Sequence, residues 1–151
     1  MKAKNILSAV LLLFVAASVV ALLVNRFRGD TVQEIPPDGV VVFYLHRSER
    51  CPTCVSIETC AKATVNSRFA EPLEAGTLHW LMVNCDEPQN GHFRKDFQIV
   101  PPVVVLVEMK DGKQGRWRSL LECMERSGDE ADLTDYLQKE IEEFLKGADA
   151  T

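Results

Sequence analysis

Two of the five cysteines in this 151-residue chain stand close enough to work together, in Cys51-Pro52-Thr53-Cys54. The pair follows the apolar, β-branched run Val40-Val41-Val42-Phe43-Tyr44-Leu45 and leads into a helical pattern, so it belongs at a strand-to-helix junction. The chemistry such a pair offers is thiol–disulfide exchange. A thiol attacks a disulfide only as the thiolate, and free cysteine is mostly protonated at neutral pH, so its surroundings must favour the anion. Cys51 is expected at the helix N-cap with Pro52 at the first helical position. Unpaired backbone N–H groups and the positive end of the helix dipole then face its sulfur. Arg50, with Arg47 near it, adds positive charge. Cys54, one turn further in, lacks that exposure. Cys51 is therefore read as the nucleophile and Cys54 as the resolving thiol.

A CxxC pair is also half of many zinc sites, but Cys60, Cys85, Cys123, His46, His79 and His92 supply no second close pair. No metal is expected. Cys60 lies six residues beyond Cys54, a rise of roughly 9 Å along a helix, which exceeds the usual disulfide span. Cys85 reads as a strand residue, and Cys123 falls in no predicted element. Packing as small buried hydrophobes is the favoured reading for all three.

Around the dithiol, the patterns predict strands at 40–46, 78–85, 102–109 and 113–120. Helices are predicted at 52–69, at 91–97 and from about 131 to 146. Asp111-Gly112 between two strand-like runs predicts a two-residue hairpin turn of the primed type. The resulting β-α-β-α-β-β-α order is an α/β arrangement closing on a hairpin. Leu133, Tyr136, Leu137, Ile141, Phe144 and Leu145 recur at helical spacing among many acids, which reads as an amphipathic helix with a solvated face.

Before the domain, Ile6 to Val24 is almost unbroken apolar sequence, long enough to span a bilayer. The expected organisation is an N-terminal membrane anchor over 1–28, a linker over 29–39 and one folded domain over 40–147. A cleaved signal peptide competes with the anchor, because Val19-Val20-Ala21 loosely fits a cleavage site, but Leu22-Leu23-Val24 continues the apolar run beyond it. Lys2 and Lys4 ahead of the segment favour a cytoplasmic amino terminus. The dithiol domain is then extracytoplasmic, in a periplasm or its equivalent, where a disulfide persists. Beyond Glu34 there are thirteen basic and twenty acidic residues, a balance that argues against nucleic acid as a partner. No Gly-rich phosphate loop and no flavin- or quinone-binding signature is present, so no cofactor is expected and electrons must pass to a partner protein.

Cys51-Pro-Thr-Cys54, Val100-Pro101 and the Asp111-Gly112 hairpin resemble the thioredoxin superfamily across roughly residues 40 to 147. The resemblance implies a thioredoxin-like fold and a Cys51–Cys54 pair cycling between dithiol and disulfide. It also implies that Pro101 is a cis-proline facing the pair, with the Val100 backbone free to bind an extended substrate segment. Further phrases are similar to the bacterial ArsF-type proteins: Arg50 to Cys54, Ile57-Glu58, Val83-Asn84-Cys85-Asp86-Glu87-Pro88, His92-Phe93, Lys95-Asp96, and Lys110 to Lys113 with Arg116-Trp117. That likeness implies an arsenic-resistance context and a nitroreductase-type partner protein. Two departures from thioredoxin bear on mechanism. Arg50 replaces the tryptophan before the first cysteine, and the strand leading to the motif has no buried acid. Tyr44 and His46 are its polar side chains, and His46 is a candidate proton acceptor if it faces the dithiol.

The expected function is a membrane-tethered thiol–disulfide oxidoreductase acting on a protein disulfide or dithiol. Two alternatives stand beside it. One is a thiol module that captures a soft species such as a trivalent arsenical or Cu(I). The other is a docking subunit of a nitroreductase complex.

Overall fold

The computed structural model describes residues 34–148. The expected anchor over 1–28 and the first part of the 29–39 linker lie outside the described residues. Among the described residues, no helix is long and apolar enough to cross a membrane.

The core is a four-stranded mixed sheet built from β1 (Gly39–His46), β2 (Leu78–Asn84), β3 (Val103–Lys110) and β4 (Lys113–Leu120), in the order β2-β1-β3-β4. β1 runs parallel to β2 and antiparallel to β3, and β4 returns antiparallel to β3. Only the β1-to-β2 link is therefore a parallel crossover, made by α1 (Pro52–Arg68) and the short α2 (Ala70–Glu74). Among the described residues, the other helices are α3 (Phe93–Asp96), α4 (Cys123–Arg126) and α5 (Glu130–Ala148), with a 3-10 turn at Pro88–Asn90. The molecule is thus α/β, as the sequence pattern indicates.

β1 is buried along almost its whole length because both sheet faces are covered, and its run of apolar residues serves both. Val40, Val42 and Tyr44 point to one face, with Ile57, Cys60, Ala61 and Val65 of α1 and Leu133, Leu137, Ile141 and Phe144 of α5. Val41, Phe43 and Leu45 point to the other, where Phe93, Phe97 and Ile99 cover them. The period-two alternation of a strand thus separates two apolar clusters. The register begins at Gly39, whose φ of +102° favours glycine. A Cβ there would lie 2.8 Å from the Thr77 carbonyl oxygen.

Three boundaries depart from the sequence expectation. The first helix stops at Arg68, and Ala70–Glu74 forms a separate turn of helix before β2. The short helix expected near 91–97 is present as α3 over Phe93–Asp96, and the 3-10 turn at Pro88–Asn90, which the pattern did not indicate, precedes it. α4, which carries Cys123, has too few residues for a periodic signal. The hairpin is as expected: Asp111 and Gly112 have φ of 53° and 72°, the two positive values a type I′ turn requires.

Candidate functional site

β1 and β2 end, and β3 begins, at the same edge of the sheet. The loop leaving β1 carries Arg47, Glu49 and Arg50, and α1 starts immediately after it. Cys51 is the N-cap of α1 in extended conformation, with Pro52 in the first turn. Its sulfur accepts the Cys54 backbone N–H at 3.1 Å, so a helix-end amide points directly at the candidate nucleophile. Cys51 and Cys54 are joined as a disulfide, their Cα atoms 5.0 Å apart. Cys51 is exposed and Cys54 is buried at 6%, an asymmetry that suits an attacking and a resolving sulfur.

An open pocket of about 320 Å³ lies over the pair, lined by Arg47, Glu49, Arg50, Cys51, Cys54, Pro101 and Pro102. The two prolines come from the segment entering β3, so the elements converge on the dithiol from both sides. The cis peptide bond is Pro101–Pro102, which corrects the assignment of the cis bond to Val100–Pro101. Two successive prolines make either bond eligible, and Pro102 is the residue immediately before β3. Val100 stands outside the pocket lining with 86% of its surface exposed. Val55, the residue after Cys54, adds a second exposed apolar side chain on this side of the fold.

Tyr44, completely buried on β1, donates its hydroxyl hydrogen bond to the Cys54 carbonyl at 2.6 Å and ties the first turn of α1 to the sheet. Burial pushes its phenol up to about 12, against the opposing pull of Arg50. It therefore stays protonated at neutral pH as a donor. His46 does not line the pocket: its ring stacks on Tyr44 with centroids 5.8 Å apart, and its Nδ1 lies 2.9 Å from the Arg47 carbonyl oxygen.

The two pocket arginines are both engaged by carboxylates that the sequence reading left without a role. The Arg50 guanidinium forms an ion pair with Glu58 of α1 and lies 6.0 Å from the Tyr44 ring centroid. Arg47 Nε is 3.7 Å from Asp86, which also pairs with Arg94 and accepts the Ser48 backbone N–H at 2.9 Å. The Ser48 amide and Arg94, with smaller help from Arg47, hold the Asp86 carboxyl below its ordinary range. Sequence spacing offered a faint signal for Glu58, four residues after Cys54 and so on the same helix face. It offered none for Asp86, which meets Ser48 across 38 residues.

Cys60, Cys85 and Cys123 are free and buried. Burial pushes Cys85 up to about 11 and Cys123 up to about 12, the latter with a smaller contribution from Cys60. Among the described residues, no three of His, Cys, Asp and Glu are grouped to hold a metal ion.

No protein-family model matches the chain, and no curated protein does. Among solved structures, it is similar to one described as the structure of a malarial protein. The TM-score is 0.36 at 17% identity, over 54% of this chain and 80% of that one.

Proposed function

We propose that the chain is a thiol–disulfide oxidoreductase with a thioredoxin-like domain, held at a membrane by the apolar segment Ile6 to Val24. The observation that carries the reading is the exposed Cys51 sulfur at a helix N-cap, receiving the Cys54 amide and already bonded to the buried Cys54. The parallel β1-α1-β2 unit, the antiparallel β3–β4 hairpin and the placement of Pro101 and Pro102 beside the dithiol support the finer fold reading.

In the reducing direction, the Cys51 thiolate attacks one sulfur of a partner disulfide. The partner's S–S bond breaks, and its other sulfur leaves as a thiolate that takes up a proton. The mixed disulfide holds the partner on Cys51. Cys54 then loses its proton and attacks the Cys51 sulfur, which restores the Cys51–Cys54 bond and releases the second partner thiolate. Two electrons and two protons pass to the partner. Run backwards, the same steps oxidise a partner dithiol, and a second dithiol or disulfide protein resets the pair. The segment before β3, with Val100 exposed and the prolines lining the pocket, offers an extended partner chain a place beside Cys51.

The test uses the full-length chain in detergent. Equilibration with glutathione redox buffers, followed by alkylation and mass analysis, should give one two-electron transition at Cys51–Cys54, with Cys60, Cys85 and Cys123 unchanged. Cys54→Ser should then accumulate a mixed disulfide through Cys51 with a protein partner, because the resolving thiol is gone. A pair that stays reduced in every buffer, or oxidises only after a soft metal is stripped from it, would replace this reading with ion capture.

A further inference from the structure

The charge beside Cys51 is more heavily countered than the sequence implies. Arg47 and Arg50 both line the pocket with the dithiol, and an unpaired arginine there would make the attacking thiol more acidic through direct attraction to its anion. Neither is unpaired. Arg47 lies against Asp86, and Arg50 against Glu58. The two pairs differ in their surroundings. The Arg47 side chain is 54% exposed, so water screens it. The side chains of Arg50 and Glu58 are 31% and 21% exposed, and Glu58 Oε2 is shut off from solvent with Arg50 as its ion-pair partner. A carboxylate so placed holds its cation firmly, because the alternative is a charged oxygen with neither water nor a counter-ion.

We propose that Glu58 is a positioning residue that withholds the Arg50 charge from Cys51, and thereby sets both the acidity of the attacking thiol and the redox potential of the Cys51–Cys54 pair. The inference rests on the oxidoreductase reading. With the disulfide closed there is no charge on sulfur, and Arg50 belongs to Glu58. Once the pair is reduced, the Cys51 thiolate and the Glu58 carboxylate compete for one guanidinium. The other groups facing this space are accounted for. Arg47 and Glu49 come from the same loop, Tyr44 from β1 remains a neutral phenol, and Pro101 and Pro102 from the entry to β3 bring no charge. The stronger the hold of Glu58 on Arg50, the less the thiolate is stabilised and the more reducing the pair becomes.

The experiment is the pH dependence of iodoacetamide alkylation at Cys51 in the reduced full-length protein. It is read by mass at each cysteine for the unchanged chain, Glu58→Gln, Arg50→Met and the double variant. Glu58→Gln should lower the Cys51 pKa by about half a unit or more and shift the glutathione equilibrium about threefold toward the dithiol. Arg50→Met should raise the Cys51 pKa. In the double variant the effect of Glu58→Gln should largely vanish, since it acts through Arg50. Alkylation of Cys60, Cys85 or Cys123 marks a variant that has lost its fold. Glu58→Asp, which keeps the charge, then supplies the comparison and should stay close to the unchanged protein. An unmoved Cys51 titration in Glu58→Gln overturns the proposal, as does an equal fall when Arg50 is absent. Either result leaves the glutathione transition of the unchanged protein standing, so this inference and the oxidoreductase reading fail separately.

Discussion

Cys51 and Cys123 both sit at the start of a helix, one as the N-cap of the 17-residue α1 and the other as the first residue of the four-residue α4. Helix-end amides and the helix dipole favour a thiolate at such positions. At Cys51 that effect acts on an exposed sulfur with the Cys54 N–H directed at it. At Cys123 the residue is 1% exposed, and burial pushes the thiol up to about 12 although a backbone hydrogen bond and Arg126 pull the other way. Desolvation outweighs a short helix end. Of the two cysteines at helix starts, Cys51 is exposed and Cys123 is not, so solvation rather than position sets them apart.

The sharpest way to break that comparison is competitive alkylation. At pH 8, a thiol titrating near 12 is ionised in roughly one molecule in ten thousand, and one near 11, as at Cys85, in roughly one in a thousand. In the reduced, folded protein, iodoacetamide should therefore modify Cys51 about a hundredfold or more faster than Cys123 or Cys85. Mass analysis of peptides over a time course checks this. Comparable rates at Cys123 without unfolding would show that position, not solvation, governs reactivity here.

The next effect is on stability. Cys123 packs in the cluster formed by α1, α5 and one face of the sheet. Cys123→Ser places a hydroxyl in apolar surroundings and should cost about 1–3 kcal/mol, more than Cys123→Ala, in denaturant melts followed by tryptophan fluorescence. A serine variant as stable as the unchanged chain would mean the site is wetter than its burial indicates. The pH dependence has a definite sign. The folded pKa of Cys123 is raised above its ordinary value of 9.0, so its contribution is complete below that value and is lost as pH rises toward about 12. Cys123→Ala should flatten that alkaline decline.

The same contrast explains which parts of the molecule were legible in its sequence. Local signals carried well. Pro52 after Cys51 fixed the start of α1, Asp111-Gly112 fixed the hairpin, and the i, i+4 recurrence of Leu133, Leu137 and Ile141 marked the buried stripe of α5. Long-range relations did not carry. Only the helical spacing from Cys54 hinted at Glu58, and nothing local showed that it pairs with Arg50, because that contact joins the loop before the dithiol to α1. The choice between Pro101 and Pro102 was equally invisible, since local sequence permits either bond.

The smallest effect concerns what holds Cys51 in place. Core packing fixes Cys123, whereas the loop before Cys51 depends on polar tethers at the surface: Asp86 accepts the Ser48 amide and pairs with Arg94 and Arg47. Its folded pKa is depressed, first by the Ser48 hydrogen bond and then by Arg94. The tether is therefore fully present above the ordinary carboxylate range near ~3.9 and is lost as pH falls through the lower folded value. In hydrogen-exchange measurements, protection of the Ser48 amide should decline in that acid window, while the β1 amides, held by the sheet on both sides, keep theirs. Asp86→Asn weakens both ion pairs and the charge-assisted hydrogen bond, so it should reduce Ser48 protection already at neutral pH and remove the acid step. A Ser48 amide as protected in Asp86→Asn as in the unchanged chain would show that the loop is held by its packing. The exposed cysteine and the buried one would then differ in solvation alone.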